Sequence, residues 1–160
     1  MSAMKRHSTI AAALLACISL AACASAPEPP PAGTVSGTMR PYTIKGVRYT
    51  PRHDPDYQET GLASWYGGQH QGRPTATGER FDMNAISAAH KTLPLPSVVE
   101  VKNLENGRKI KVRVNDRGPF VDGRIIDLSK AAAKELGILE KGLAKVRVRY
   151  LGPADRHAAR

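Results

Sequence analysis

The segment Val112-Arg-Val-Asn-Asp-Arg-Gly-Pro-Phe120 alternates apolar and polar residues and then stops abruptly. Successive side chains of an extended chain point to opposite faces, so Val112 and Val114 share one face while Arg113 and Asn115 share the other. This is a half-buried strand, and Gly118-Pro119 ends its ladder in a constrained turn. Asp116 and Arg117 are thereby held where the strand breaks. A carboxylate fixed there beside cations suits an acid acting on carbohydrate. It equally suits a turn cap paired with Arg117.

Other segments repeat the strand pattern. Leu62–Tyr66, Val98–Asn103, Arg108–Asn115, Arg124–Leu128 and Leu143–Leu151 read as strands, and Asn106-Gly107 is a hairpin turn signal between two of them. Ser129 is placed to cap a helix running through Ala131-Ala-Ala and Leu136 to Gly137. The folded unit is read as residues 60–151, mainly β, and a small closed barrel fits because closure removes edge strands. Two short β-like pieces flank Lys45-Gly46, so residues 41–59 form an arm whose expected partner is the barrel edge. Residues 152–160 read as a flexible tail.

Residues 1–22 read as a secretory leader, with Lys5, Arg6 and His7 ahead of an apolar run too short to span a membrane. The run ends Leu20-Ala-Ala-Cys23, which resembles a bacterial lipoprotein processing box, with Cys23 as the acylated residue and membrane anchor. An ordinary leader cleaved near Ala24 or Ala26 is the alternative. Ala24 and Ser25 lack the aspartate of inner-membrane retention, so a periplasmic domain held at the outer membrane is expected. Cys17 leaves with the leader, so the mature chain has one cysteine and no internal disulfide. Residues 23–40, with Pro27, Pro29, Pro30 and Pro31, read as a semi-rigid tether.

The formal charge is +10, and loss of Lys5 and Arg6 with the leader leaves +8. Between Thr60 and Leu151 there are 16 Lys and Arg against 9 Asp and Glu, a net +7 on the folded unit. Export removes nucleic acid as a partner. Lipid headgroups and cell-wall glycan remain as anionic polymers whose encounter this charge would speed.

Several dense signatures occur in order: Gly61-Leu-Ala-Ser-Trp-Tyr-Gly67, Thr75-Ala-Thr-Gly-Glu-Arg-Phe-Asp82, Ala88-Ala-His-Lys-Thr-Leu-Pro94, Val112 to Phe120, and Arg124-Ile-Ile-Asp-Leu-Ser129. Together they resemble the rare lipoprotein A family of bacterial cell-wall proteins. The resemblance implies a six-stranded double-psi β-barrel with one or two short helices, related to the barrels of expansins. It also implies lytic transglycosylase activity on peptidoglycan, with preference for strands lacking stem peptides. The family's functional residues fall on Glu79, His90 and Asp116. Thr77 stands where the family usually has asparagine. The carboxy-terminal glycan-binding domain of many members has no counterpart in this sequence, so septal recruitment by that route is not carried over.

The chemistry agrees with this implication. Glycoside cleavage needs a proton on the leaving oxygen and an oxocarbenium-like state stabilised. A lytic transglycosylase then attacks with the sugar's own 6-hydroxyl, so one carboxyl serves as acid and then base. Asp116 is assigned that role and Glu79 is the second carboxylate, whose plain alternative is a surface ion pair. His90 either assists Asp116 and the glycan or is satisfied by backbone. Tyr66 is preferred over Trp65 for a sugar face, although both suit a core. Thr77, Asn115 and Arg117 complete the candidate substrate-binding set. The histidines 53, 70 and 157 lack metal-ligand spacing, so neither metal nor cofactor is expected. A monomer is expected; a non-catalytic, expansin-like glycan-binding lipoprotein and a lipid-anchored docking scaffold are the competing readings.

Overall fold

The computed structural model describes residues 36–155. The expected leader, Cys23, the tether up to residue 35 and the tail from residue 156, with His157, lie outside the described residues.

The described chain opens with a hairpin, β1 (Tyr42–Ile44) and β2 (Val47–Tyr49). Lys45 (φ 49°) and Gly46 (φ 80°) are both left-handed, as a two-residue hairpin turn requires. The barrel follows as β3 (Gln58–Tyr66), β4 (Ser87–His90), β5 (Ser97–Asn103), β6 (Lys109–Asp116), β7 (Arg124–Ser129) and β8 (Ala144–Pro153). It is closed in the order β3-β7-β4-β6-β5-β8. The β3·β7 and β4·β6 pairings are parallel and the other barrel pairings antiparallel, forming a double-psi β-barrel.

Closure explains one departure from expectation. A closed barrel has no edge to offer, so the hairpin pairs only with itself. It seats through aromatic faces instead: Tyr42 stacks on Tyr49 at 5.2 Å, and Tyr49 lies 5.5 Å from Phe120. The barrel also runs two residues further at each end than the alternation implied, since Gln58 pairs with Arg149 and Pro153 with Ser97.

The core follows the pleat. β5 buries Val99, Val101 and Asn103, and β8 buries Ala144, Val146 and Val148, with polar residues between them on the outer wall. Each such valine contributes about 1.5–3 kcal/mol by leaving water. One helix, α1 (Lys130–Leu136), closes over the core through Ala132, Ala133 and Leu136. Ser129 Oγ accepts from the Ala132 N–H at 3.2 Å, and Gly137 ends the helix at φ 75°.

Candidate active site

Strict alternation along β6 would set Asp116 on the face of Val112 and Val114, inside the barrel. The ladder with β4 prevents this: Ala88 pairs with Val114, and the next residue, Ala89, pairs with Asp116. Asn115 is therefore an extra residue, a β-bulge, and bulges re-aim the side chains beside them. Asp116 is turned out of the core into a shallow cavity of about 150 Å³ that Tyr66, His70, Ala89 and Asp127 also line.

Within that cavity Asp116 Oδ1 accepts from the Ala76 N–H at 2.9 Å and the Arg117 N–H at 2.8 Å. Burial raises the carboxyl's pKa above the ordinary aspartate value, outweighing those two bonds and the nearby His70 and Arg117. Asp127 is likewise raised by burial, against the pull of Arg124, Lys91 and His70. Its Oδ2 meets Arg124 Nη2 at 3.0 Å, while its Oδ1 is buried with no partner. The Tyr66 hydroxyl is also buried without a partner, and burial, Asp116 and Asp127 all hold it un-ionised. Unpaired polar atoms of this kind mark a place where a ligand or water completes the bonding. The Tyr66 ring rests on Phe81 at 4.5 Å and meets His70 edge-on at 5.5 Å.

Glu79 sits on the other side of the same loop. Thr75 N–H donates to Glu79 O at 2.8 Å and Gly78 N–H to Thr75 O at 2.9 Å, with Gly78 at φ 85°, so Thr75–Glu79 is a tight turn. Thr77 N–H ties it to Asn115 O at 3.2 Å. Glu79 Oε1 receives Arg113 Nη2 at 2.6 Å, and its Oε2 receives Asn115 Nδ2 at 2.7 Å. Partial burial pushes its pKa up, but the Arg113 and Asn115 bonds, the Arg113 charge and the Thr77 hydroxyl together hold it below the usual glutamate range. Glu79 opens onto a separate groove of about 830 Å³, shared with Lys111, Arg113 and Asn115. The two carboxyls are thus pushed apart in acidity, one towards holding a proton and one towards staying ionised.

His90 takes the backbone-satisfied reading rather than the catalytic one, and Arg117 is placed differently from its substrate-binding assignment. The His90 ring is 3% exposed, and its Nδ1 accepts from the N–H groups of Thr92 (3.2 Å) and Leu93 (3.1 Å). The ring proton therefore lies on Nε2, which donates to the Tyr57 hydroxyl at 2.8 Å, and Tyr57 in turn donates to Glu59 at 2.6 Å. Burial first, then the Arg117 and Lys91 cations, lower its pKa to about 3. No ring nitrogen is left for a sugar or for Asp116. The Arg117 guanidinium is also engaged: Nη1 donates to His90 O (3.1 Å) and Leu93 O (2.7 Å), and Nη2 to Thr38 O (2.6 Å). It staples the arm to the barrel, and only its backbone N–H reaches Asp116.

Asp116 and Tyr66 are brought together, and Glu79, Asn115 and Thr77 form a second group across the turn. Asp127 and His70 joined the first group without having been singled out from the sequence. For Asp127 a signal existed, since it is the one acidic residue in an otherwise largely apolar strand, on the face opposite Ile126 and Leu128. His70 lies in a turn after β3, where spacing carries no such signal. Among the described residues no group of three or more His, Cys, Asp or Glu is placed to hold a metal ion.

Residues 58–148 match the family described as "Lytic transglycolase", a double-psi β-barrel domain. The chain belongs to that family. A relative from Neisseria meningitidis serogroup A, named "Endolytic peptidoglycan transglycosylase RlpA", is 55% identical over 117 residues, 72% of this chain and 49% of the relative. The chain thus spans about half the length of that relative. A Streptomyces papain inhibitor shares the barrel at 27% identity and TM-score 0.52, covering 62% of this chain and 99% of that one. A Clavibacter michiganensis expansin, solved as a point mutant in complex with cellohexaose, matches at 16% identity and TM-score 0.50 over 62% of this chain and 53% of its own. The last likeness is one of fold alone. The matched segment holds Asp116, Asp127 and Glu79, whereas the arm before residue 58 and the end of β8 after residue 148 lie outside it.

Proposed function

We propose that this chain cleaves the glycan strands of peptidoglycan as a lytic transglycosylase, with Asp116 as its acid and base. The observation that carries the reading is a half-buried carboxyl in an open cavity beside a second one, each with its pKa raised by burial, on a lytic transglycolase barrel. The Asp116 proton passes to the glycosidic oxygen as the C1–O bond breaks, and the bonding pair leaves with that oxygen. The 6-hydroxyl of the same muramoyl sugar then attacks C1 and returns its proton to Asp116. One strand end becomes a 1,6-anhydro ring, the other regains a free hydroxyl, and no water is consumed. Asp127 offers negative charge to the oxocarbenium-like state and ionised Glu79 offers acceptors to sugar hydroxyls in the separate groove, while Tyr66 offers a hydrogen-bond donor beside Asp116. His90 is a positioning residue, pinning the loop whose carbonyls hold Arg117.

Preference for strands without stem peptides fits the charge. Removing the peptide leaves a lactyl carboxylate on every second sugar, matched to a folded unit of net +7. Cys23 is proposed as the acylated anchor at the outer membrane, and labelling with a fatty-acid analogue, lost in Cys23→Ser, tests it.

Digestion of peptidoglycan in ¹⁸O-water, followed by mass spectrometry, tests the reaction. Anhydro-muramoyl ends without solvent oxygen are expected. Reducing ends carrying ¹⁸O would make the protein a hydrolase instead. Intact strands that sediment with the protein would leave the expansin-like binding module, the reading that the full engagement of Glu79 by Arg113 and Asn115 favours.

A further inference from the structure

Four depressions form a row in which neighbours share a wall, and three of them are lined by residues of the Thr75–Glu79 turn. The Asp116 cavity adjoins one of about 300 Å³ through Arg117; that one adjoins another of about 160 Å³ through Thr38; the last meets the 830 Å³ groove at Glu79. The two middle depressions lie between the barrel turn and residues 36–42, which precede both the barrel and the matched family segment. The arm there is held in place: Arg117 donates to Thr38 O, Thr38 Oγ1 to Leu95 O (3.3 Å), and the Tyr42 hydroxyl to Lys91 O (2.7 Å). Arg40 lines the larger middle depression together with Ala76; it is exposed, and its guanidinium enters no hydrogen bond or ion pair among the described residues.

We infer that the arm is a wall of the glycan-binding cleft, and that Arg40 on it is the subsite residue for a muramoyl carboxylate one step from the Asp116 cavity. This rests on the substrate class proposed above. The larger middle depression lies at the lower end of the size range of small-molecule sites, about 300–1,000 Å³, which suits a single saccharide rather than a longer segment. Ala76 forms the barrel side of that depression, and its N–H holds Asp116 Oδ1, so a sugar seated against Arg40 lies next to the acid. A planar guanidinium with all its donors free matches a carboxylate in two-point contact. Arg117, although nearer the acid, is pinned by bonds from Nη1 and Nη2 to backbone carbonyls, whereas the Arg40 guanidinium can turn to a ligand.

The full-length protein with Arg40→Gln, alongside Lys134→Gln on the exposed side of α1 as a control, tests the inference. Cleavage is followed on denuded glycan with free carboxylates and on the same glycan with its carboxylates capped as methylamides. Arg40→Gln should raise KM about tenfold on the free acid, the loss of one charge-assisted contact, with little change on capped glycan, kcat or melting temperature. Lys134→Gln should leave all of these unchanged. Equal KM for wild type and Arg40→Gln on the free acid would overturn the inference while leaving the cleavage reaction intact. If wild type binds denuded glycan but does not cut it, the catalytic reading fails, and the same comparison made on dissociation constants still decides the role of Arg40.

Discussion

Asp116 and Asp127 are both register partners of one residue, Ala89, which they flank from the neighbouring strands β6 and β7. Two strand spacings separate their backbones, about 10 Å, and the small side chain between them leaves the cavity open. Each carboxyl is raised in pKa by burial, and each keeps an oxygen unbonded by the described residues. The proposed catalytic pair is therefore a lateral row on the sheet, whereas Glu79 lies on the far side of the turn.

Asp127→Asn should lower glycan cleavage by about 10²-fold or more, the scale of a lost acid–base or charge-stabilising group. Glycan binding should stay within about twofold, because the shape of the cavity is kept. Rates and dissociation constants on the same strands check this. Wild-type cleavage by the variant would leave Asp116 without a partner in the row.

His90 makes stability fall on acidification. Its folded pKa of about 3 lies below the unfolded value of 6.5, so between those pH values the unfolded chain binds the extra proton. Stability contributed by neutral His90 is present above the unfolded value and is lost as pH falls through that window, at up to about 1.4 kcal/mol per pH unit. The raised Asp116 and Asp127 act oppositely just above 3.8, where folding favours their protonated forms. Urea titrations between pH 4 and pH 7 on wild type and His90→Gln should show the slope in the first and a flatter line in the second. A slope unchanged by the substitution would remove His90 as its source.

Arg117→Lys should loosen the arm. A lysine cannot reach Thr38, His90 and Leu93 carbonyls at once, and the orphaned carbonyls together with the lost charge-assisted bonds cost about 1.5–3 kcal/mol. Proteolysis at Arg48 or Lys45 in the hairpin should quicken in the variant. Equal cleavage there would mean that the aromatic contacts of Tyr42 and Tyr49 suffice to hold the arm.

Lys102 lies between Lys109 on β6 and Arg147 on β8, three cations in one row of the outer wall. Like charges directly opposite destabilise a sheet, so Lys102→Glu should stabilise the fold by about 0.2–1 kcal/mol. Chemical denaturation in low salt reads the gain, which should shrink in high salt. A loss of stability would show that the lysine stem packs more than its charge repels.

The strands with alternating valines were legible because their inner and outer faces differ. β4 was not: Ser87, Ala88, Ala89 and His90 are buried on both faces, and serine and alanine carry little strand signal. The sequence around His90 therefore carries no sign of the strand that buries it or of its ring bonds to Thr92 and Leu93. The bulge at Asn115 escaped for a related reason, since it is set by the partner strand rather than by the local sequence. The sequence sets Arg117 beside Asp116, but its backbone N–H and its guanidinium do different work, which spacing cannot separate. Cap residues fared better, as Ser129 and Gly137 act within their own turn.

The most direct measurement is the cleavage rate of Asp116→Asn on denuded glycan, taken together with its affinity for the same strands. Asparagine keeps the oxygen that accepts from Ala76 and Arg117, so the fold and the binding should persist. The account predicts a loss of at least about 10²-fold in cleavage with affinity nearly unchanged. A variant that cuts at the wild-type rate would contradict it.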